Sequence, residues 1–121
     1  MKLESDIQNE IRVNASRLGG VLWRNNVGAY KTPTGYIRYG LCNDSPELNK
    51  HIKSADLIGI RPLLILPEHV GTVVGQFWSV ECKSQTWKFN VNNPAQCAQL
   101  EWLKLVLAKG GCAEFNNTGI L

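Results

Sequence analysis

A chain of 121 residues with 44% apolar content and a net charge of +3 has the size and composition of one globular domain with a single core. No run reaches the roughly 18 consecutive apolar residues of a membrane span, and the polar start Met1-Lys2-Leu3-Glu4-Ser5-Asp6 carries no signal-peptide core, so a cytoplasmic location is expected. Cys42, Cys82, Cys97 and Cys112 are widely spaced with no Cys-x-x-Cys pair, which favours free thiols over disulfides or a zinc site.

The charge is unevenly distributed. Between Ile11 and Asn43 there is no Asp or Glu, while Arg12, Arg17, Arg24, Lys31 and Arg38 all fall there; beyond Pro62 lysines and glutamates balance. A basic zone of this kind suits a polyanion, although a merely solvated surface has the same composition.

Leu3, Ile7, Ile11, Ala15 and Leu18 recur at helical spacing and predict an amphipathic helix over roughly 3–18, stopped by Gly19-Gly20. At about 100° per residue, Glu4 lies about 40° from the centre of the apolar stripe, on its core side, flanked by Gln8. Glu4 suits either a site or simple complementation of the helix dipole. Val21 to Arg24 reads as a strand. A polar loop over 25–35 follows, open to a hairpin reading, with Tyr36 to Tyr39 as the return. Arg24, Asn25, Asn26, Lys31 and Arg38 are interleaved there with Trp23, Tyr30, Tyr36 and Tyr39. Cations and amides beside aromatics suit a phosphate backbone and exposed bases, as they also suit an ordinary hairpin with aromatic cross-strand pairs.

Cys42 to Ser54 reads as loop with one helical turn near Pro46. Asp56 opens a short apolar strand, Ala55 to Ile60, where its carboxylate either faces a site or caps the loop. Arg61-Pro62 interrupts the strand, Leu63 to Leu66 is apolar again up to Pro67, and a turn follows. His51 and His69 lack any metal-ligand spacing and read as structural.

Phe77 to Lys83 is expected as a buried strand. Alternation puts Phe77, Ser79, Glu81 and Lys83 on one face and Trp78, Val80 and Cys82 on the other, so the Cys82 thiol is expected to be a packing group. A carboxylate and an ammonium side by side on a buried strand are costly unless they pair or hold a metal. Asn93-Pro94 caps a helix running to Lys109, with Leu100, Leu103 and Leu107 as its core face and Gln96 and Gln99 on the same side. A last strand begins at Cys112.

Helices and strands thus mix around a sheet, in an α/β or α+β class. Glu4, Asp56, Glu81, Lys83 and Gln99 form a candidate site. Carboxylates with one lysine suit a hard divalent cation that binds oxygen ligands and a substrate phosphate.

Asp56…Glu81-Cys82-Lys83 resembles the PD-(D/E)xK nuclease motif. The chain more specifically resembles the small phage and bacterial form of the virus-type replication-repair nuclease (VRR-NUC) family. The likeness covers nearly all of it: Glu4-Ser5-Asp6-Ile7-Gln8, Trp23-Arg24-Asn25-Asn26-Val27-Gly28, Asp56-Leu57-Ile58-Gly59-Ile60, Phe77…Glu81-Cys82-Lys83, Gln99 with Trp102-Leu103, and Gly110-Gly111. It implies a single nuclease domain over 1–121. The fold would be a restriction-endonuclease-like α/β core, a central mixed β-sheet flanked by helices. It implies cleavage of DNA phosphodiesters with Mg²⁺ or Mn²⁺, leaving a 5′-phosphate and a 3′-hydroxyl, with a preference for branched DNA such as Holliday junctions. It also implies a homodimer in a bacterial cytoplasm and no membrane partner. By the same resemblance Asp56, Glu81 and the Cys82 backbone carbonyl are metal ligands, and Glu4 completes the site. Lys83 is the catalytic lysine, and Gln99 orients it or a water. The family's proline before Asp56 is replaced by Ala55, and the stretches 42–53 and 62–75 are longer than its compact pattern. A DNA-binding module without catalysis, and a nuclease of the same fold acting on RNA or as a restriction enzyme, are the competing readings.

Overall fold

A computed structural model describes residues 1–121. The fold is mixed α/β, with three helices, one 3₁₀ turn and six strands. Two compact units make it up, Met1–Gly59 and Ile60–Leu121. No helix is long and apolar enough to cross a membrane.

The first unit opens with α1 (Glu4–Arg17), whose first turn carries Glu4 and Asp6. Asp6 accepts a hydrogen bond from the Leu3 N–H at 3.1 Å, which satisfies a donor the helix itself leaves open. Gly19, at φ +81°, ends the helix as expected. The expected packed face does not form: Ile7 and Ile11 are each 44% exposed. Of the predicted stripe only Ala15 is half-buried, and Gln8 and Arg12 from outside it are half-buried with it. Arg12 explains the rotation, because its Nε donates to the Leu22 carbonyl at 3.0 Å and so turns its side of the helix toward the neighbouring strand.

That strand is β1 (Val21–Arg24). It pairs with β4 (Leu57–Ile60). Gly59 makes the pairing possible, since a Cβ there would fall 1.8 Å from the Val21 carbonyl oxygen. Between them lies a hairpin, β2 (Gly28–Thr32) and β3 (Gly35–Tyr39), in antiparallel register from Gly28↔Tyr39 to Thr32↔Gly35. Much of the expected loop over 25–35 is therefore strand. Pro33 and Thr34 form the turn, with the Thr32 hydroxyl accepting from the Thr34 N–H and donating to the Gly35 carbonyl. A short helix, α2 (Pro46–His51), follows, capped by Ser45 Oγ accepting from the Leu48 N–H.

In the second unit, Leu63 to Leu66 is exposed. A 3₁₀ turn at Pro67–His69 is closed by His69 Nδ1, which accepts from the Leu66 N–H at 2.9 Å, so His69 has the structural role expected of it. The strands β5 (Trp78–Cys82) and β6 (Cys112–Asn116) are parallel neighbours joined by α3 (Pro94–Ala108). This is a β–α–β unit, in which the helix makes the crossover that parallel strands require. Asn93 caps α3 through its Oδ1, which accepts from the Gln96 N–H. Leu103 and Val106 are its buried residues, whereas Leu107, expected in the core, is exposed. Val106 takes that place because Gly111 packs against it: a Cβ on Gly111 would meet Val106 Cγ1 at 2.6 Å.

Two expectations about β5 need correction. It is not buried, as Trp78 is 56% exposed and Cys82 is exposed. The predicted alternation holds, but α3 covers only the Ser79–Glu81 face, so the Cys82 thiol is not a packing group. The element order predicts one sheet and the resemblance implies that it is central and mixed; the strands instead form three two-stranded ladders. No strand forms between β4 and β5, where Pro62 and Pro67 remove ladder donors.

Candidate functional site

The predicted residues collect in two groups, one in each unit. In the first unit a cleft of about 430 Å³ is lined by Glu4 and Gln8 of α1, Arg24 of β1, Asn25, Asn26 and Asp56. Glu4 and Gln8 reach it together because they are one helical turn apart. Asp56 immediately precedes β4 and is held there through its backbone: its carbonyl accepts from the Asn25 N–H at 2.8 Å. Asn25 is fixed in turn, its Nδ2 donating to Ser54 Oγ at 2.7 Å and to the Ala55 carbonyl at 2.8 Å. Both carboxylates are exposed. The cleft therefore presents two carboxylates and several amides, with one guanidinium beside them.

Lys31 and Arg38 do not line this cleft. The hairpin register places Ala29 opposite Arg38 and Lys31 opposite Tyr36. Those four residues share one face, because opposite residues in a ladder point the same way.

In the second unit the Glu-x-Lys strand meets α3. Gln99 Oε1 accepts from Lys83 Nζ at 2.7 Å, and Gln99 Nε2 donates to Glu81 Oε1 at 3.0 Å. Lys83 Nζ lies 3.6 Å from the same Glu81 oxygen. Pairing answers the cost of two charges on one strand face. The Lys83 side chain is 16% exposed and that of Glu81 37%, so the lysine is held deep and the carboxylate stands nearer solvent. The next residues along the face also meet α3: Trp102 Nε1 donates to Ser79 Oγ at 2.8 Å, and the Phe77 and Trp102 rings stand edge to face. Gln96 is satisfied too, its Oε1 accepting from the Asn90 N–H. Both amides on the α3 core side thus have partners.

Sequence reasoning missed the aromatic wall of this group. Lys83 Nζ lies 5.8 Å from the centroids of both the Trp87 and Phe115 rings, within reach of cation–π attraction. Trp87 and Phe115 pack at 4.8 Å between centroids, with Phe89 against both. Trp87 lies only a few residues beyond Lys83 in the chain. Phe115 becomes a neighbour only through the register that sets it opposite Glu81.

Compared with family models, curated proteins and solved structures, the chain gives no match. No three His, Cys, Asp or Glu side chains gather into a group that would hold a metal ion on its own. The donors of the first cleft are nevertheless of the right kind for a hard divalent cation. Carboxylate and amide oxygens are what Mg²⁺ takes, and it needs only one or two carboxylates when substrate phosphate supplies the rest.

Proposed function

We propose that this chain is a metal-dependent, structure-specific DNA endonuclease. In this reading it is of the PD-(D/E)xK type and similar to VRR-NUC proteins. It acts as a homodimer on branched DNA such as Holliday junctions. The observation that carries the proposal is the Glu81–Gln99–Lys83 group. A helix amide holding the lysine of a Glu-x-Lys strand is what positions an ammonium beside a reacting phosphate.

The reaction is hydrolysis: water adds to phosphorus, and the bond to the 3′ oxygen breaks. Lys83 offers its remaining donors to the charge that builds on the phosphate oxygens. Gln99 fixes its direction, and the Trp87 and Phe115 rings stand beside it at 5.8 Å. Asp56, Glu81, the Cys82 carbonyl and Glu4 are the groups that would hold Mg²⁺ or Mn²⁺. When bound, the ion neutralises phosphate charge and makes a bound water more acidic. Arg24, Asn25, Asn26, Lys31 and Arg38 supply backbone contacts.

Labelled four-way junctions and flaps incubated with the protein and Mg²⁺ or Mn²⁺ test the proposal. Cleavage is expected, and Lys83→Ala is expected to abolish it while DNA binding survives. Failure to cut any DNA with either metal, or equal loss of binding and cutting in Lys83→Ala, overturns it.

One observation favours a second reading, a DNA-binding module without catalysis: no three-ligand group stands assembled. Calorimetric titration with Mn²⁺ separates the two readings. Binding that Asp56→Asn weakens supports the nuclease, and no binding supports the module.

A further inference from the structure

The stretch from Cys42 to Ser54, which the proposed reaction does not use, builds a second cleft in the first unit. It encloses about 330 Å³ and is lined by Ala29 and Arg38 of the hairpin, Asn49 of α2, Lys53 and Ser54 among others. Two cations line it and no acidic side chain does. Most donors of both cations are uncommitted. Arg38 uses Nε on the Asn43 carbonyl and Nη2 on Asn43 Oδ1, and Lys53 donates to Asn49 Oδ1. A group that only accepts hydrogen bonds and carries negative charge matches what is left over.

The site is built rather than incidental. Asn43, beneath Arg38, is 3% exposed, and its amide donates to the Gly28 carbonyl at 2.7 Å and the Tyr39 carbonyl at 2.9 Å. It therefore ties both hairpin strands to the guanidinium. Cys42, just before it, sits at φ +57°, the one non-glycine residue with positive φ. Such a conformation persists only where its surroundings enforce it. On the same hairpin face, Lys31 and Tyr36 continue outward from Arg38. At the other end, Ser54 accepts the hydrogen bond from Asn25, and Asn25 lines the Glu4–Asp56 cleft. The two clefts share that wall.

We infer that this second cleft takes a phosphodiester of a nucleic-acid strand whose neighbouring phosphate occupies the Glu4–Asp56 cleft, with Arg38 and Lys53 as its donors. The inference rests on the nucleic-acid reading proposed above, and it gives the long 42–53 stretch a role in gripping substrate.

Metal-free fluorescence anisotropy with a labelled four-way junction across a salt series tests it without requiring cleavage. Lys53 is exposed and bonds only Asn49, so its replacement leaves the fold intact. Lys53→Ala is expected to lower the slope of log affinity against log salt by about one, and Lys53→Glu to weaken binding by about tenfold or more. Lys104→Ala, which removes an exposed lysine on α3, is expected to leave the slope unchanged. Arg38→Lys, which keeps charge but loses the planar fork, is expected to weaken binding while retaining the slope. If the wild-type chain binds no DNA, the nucleic-acid reading fails and takes this inference with it. If the wild type binds and Lys53→Ala keeps its affinity and slope, or Lys104→Ala loses as much, the cleft inference alone is overturned.

Discussion

Gln99 stands between the two charges of the Glu-x-Lys strand, giving its amide hydrogen to one and its oxygen to the other. Neither a carboxylate nor an aliphatic side chain does both. Gln99→Leu is therefore expected to leave DNA affinity near wild type and to slow single-turnover cleavage on the order of 10- to 100-fold, the usual size for a group that orients another. Cys82→Ala, on the opposite face of the strand, is the control in the same assay and should cut at the wild-type rate. The pair of Glu81 and Lys83 was legible from spacing alone, because period-two alternation fixes which residues share a face. The rings beside Lys83 were not, because Phe115 arrives from a strand separated by a whole helix.

At the scale of elements, α3 carries the second unit. Leu103 and Val106 are buried against β5 and β6, with Gly111 admitting the close contact. Leu103→Ala is expected to lower the unfolding free energy by about 3 kcal/mol, seen as a shift in the urea midpoint with unchanged slope. The ends of this helix were legible because caps are local: Asn93 and Pro94 act within one turn. Its core face was legible only to within one residue, since Val106 and Leu107 both fit the period and Gly111 decides between them. The apolar stripe of α1 misled for a related reason. Period alone names the apolar face, but a half-buried Arg12 bonded to the β1 backbone sets which face is turned inward.

At the scale of the whole chain, the acid-free basic run was legible from composition, and the hairpin and α2 give it form. Helices were legible throughout, as were the strand segments other than β2. What joins them was not. The pairing of β1 with β4 depends on Gly59 meeting Val21, a relation between distant residues, and the prolines after β4 end what would otherwise read as a continuing sheet. The contrast between the ladders carries over into time. The hairpin closes across Pro33 and Thr34, on the scale of roughly 1–10 μs for such turns, and Asn43 is the residue that then locks it. The parallel ladder must wait for the loop and all of α3 to fold back, and long closures are slow. In refolding followed by pulsed hydrogen exchange, peptides from 28–39 are expected to gain protection before those from 78–82. Simultaneous protection would contradict that order. Glu81, Lys83 and Gln99 would then be brought together last, so a newly made chain would possess its cationic hairpin before it possessed the group proposed to cut.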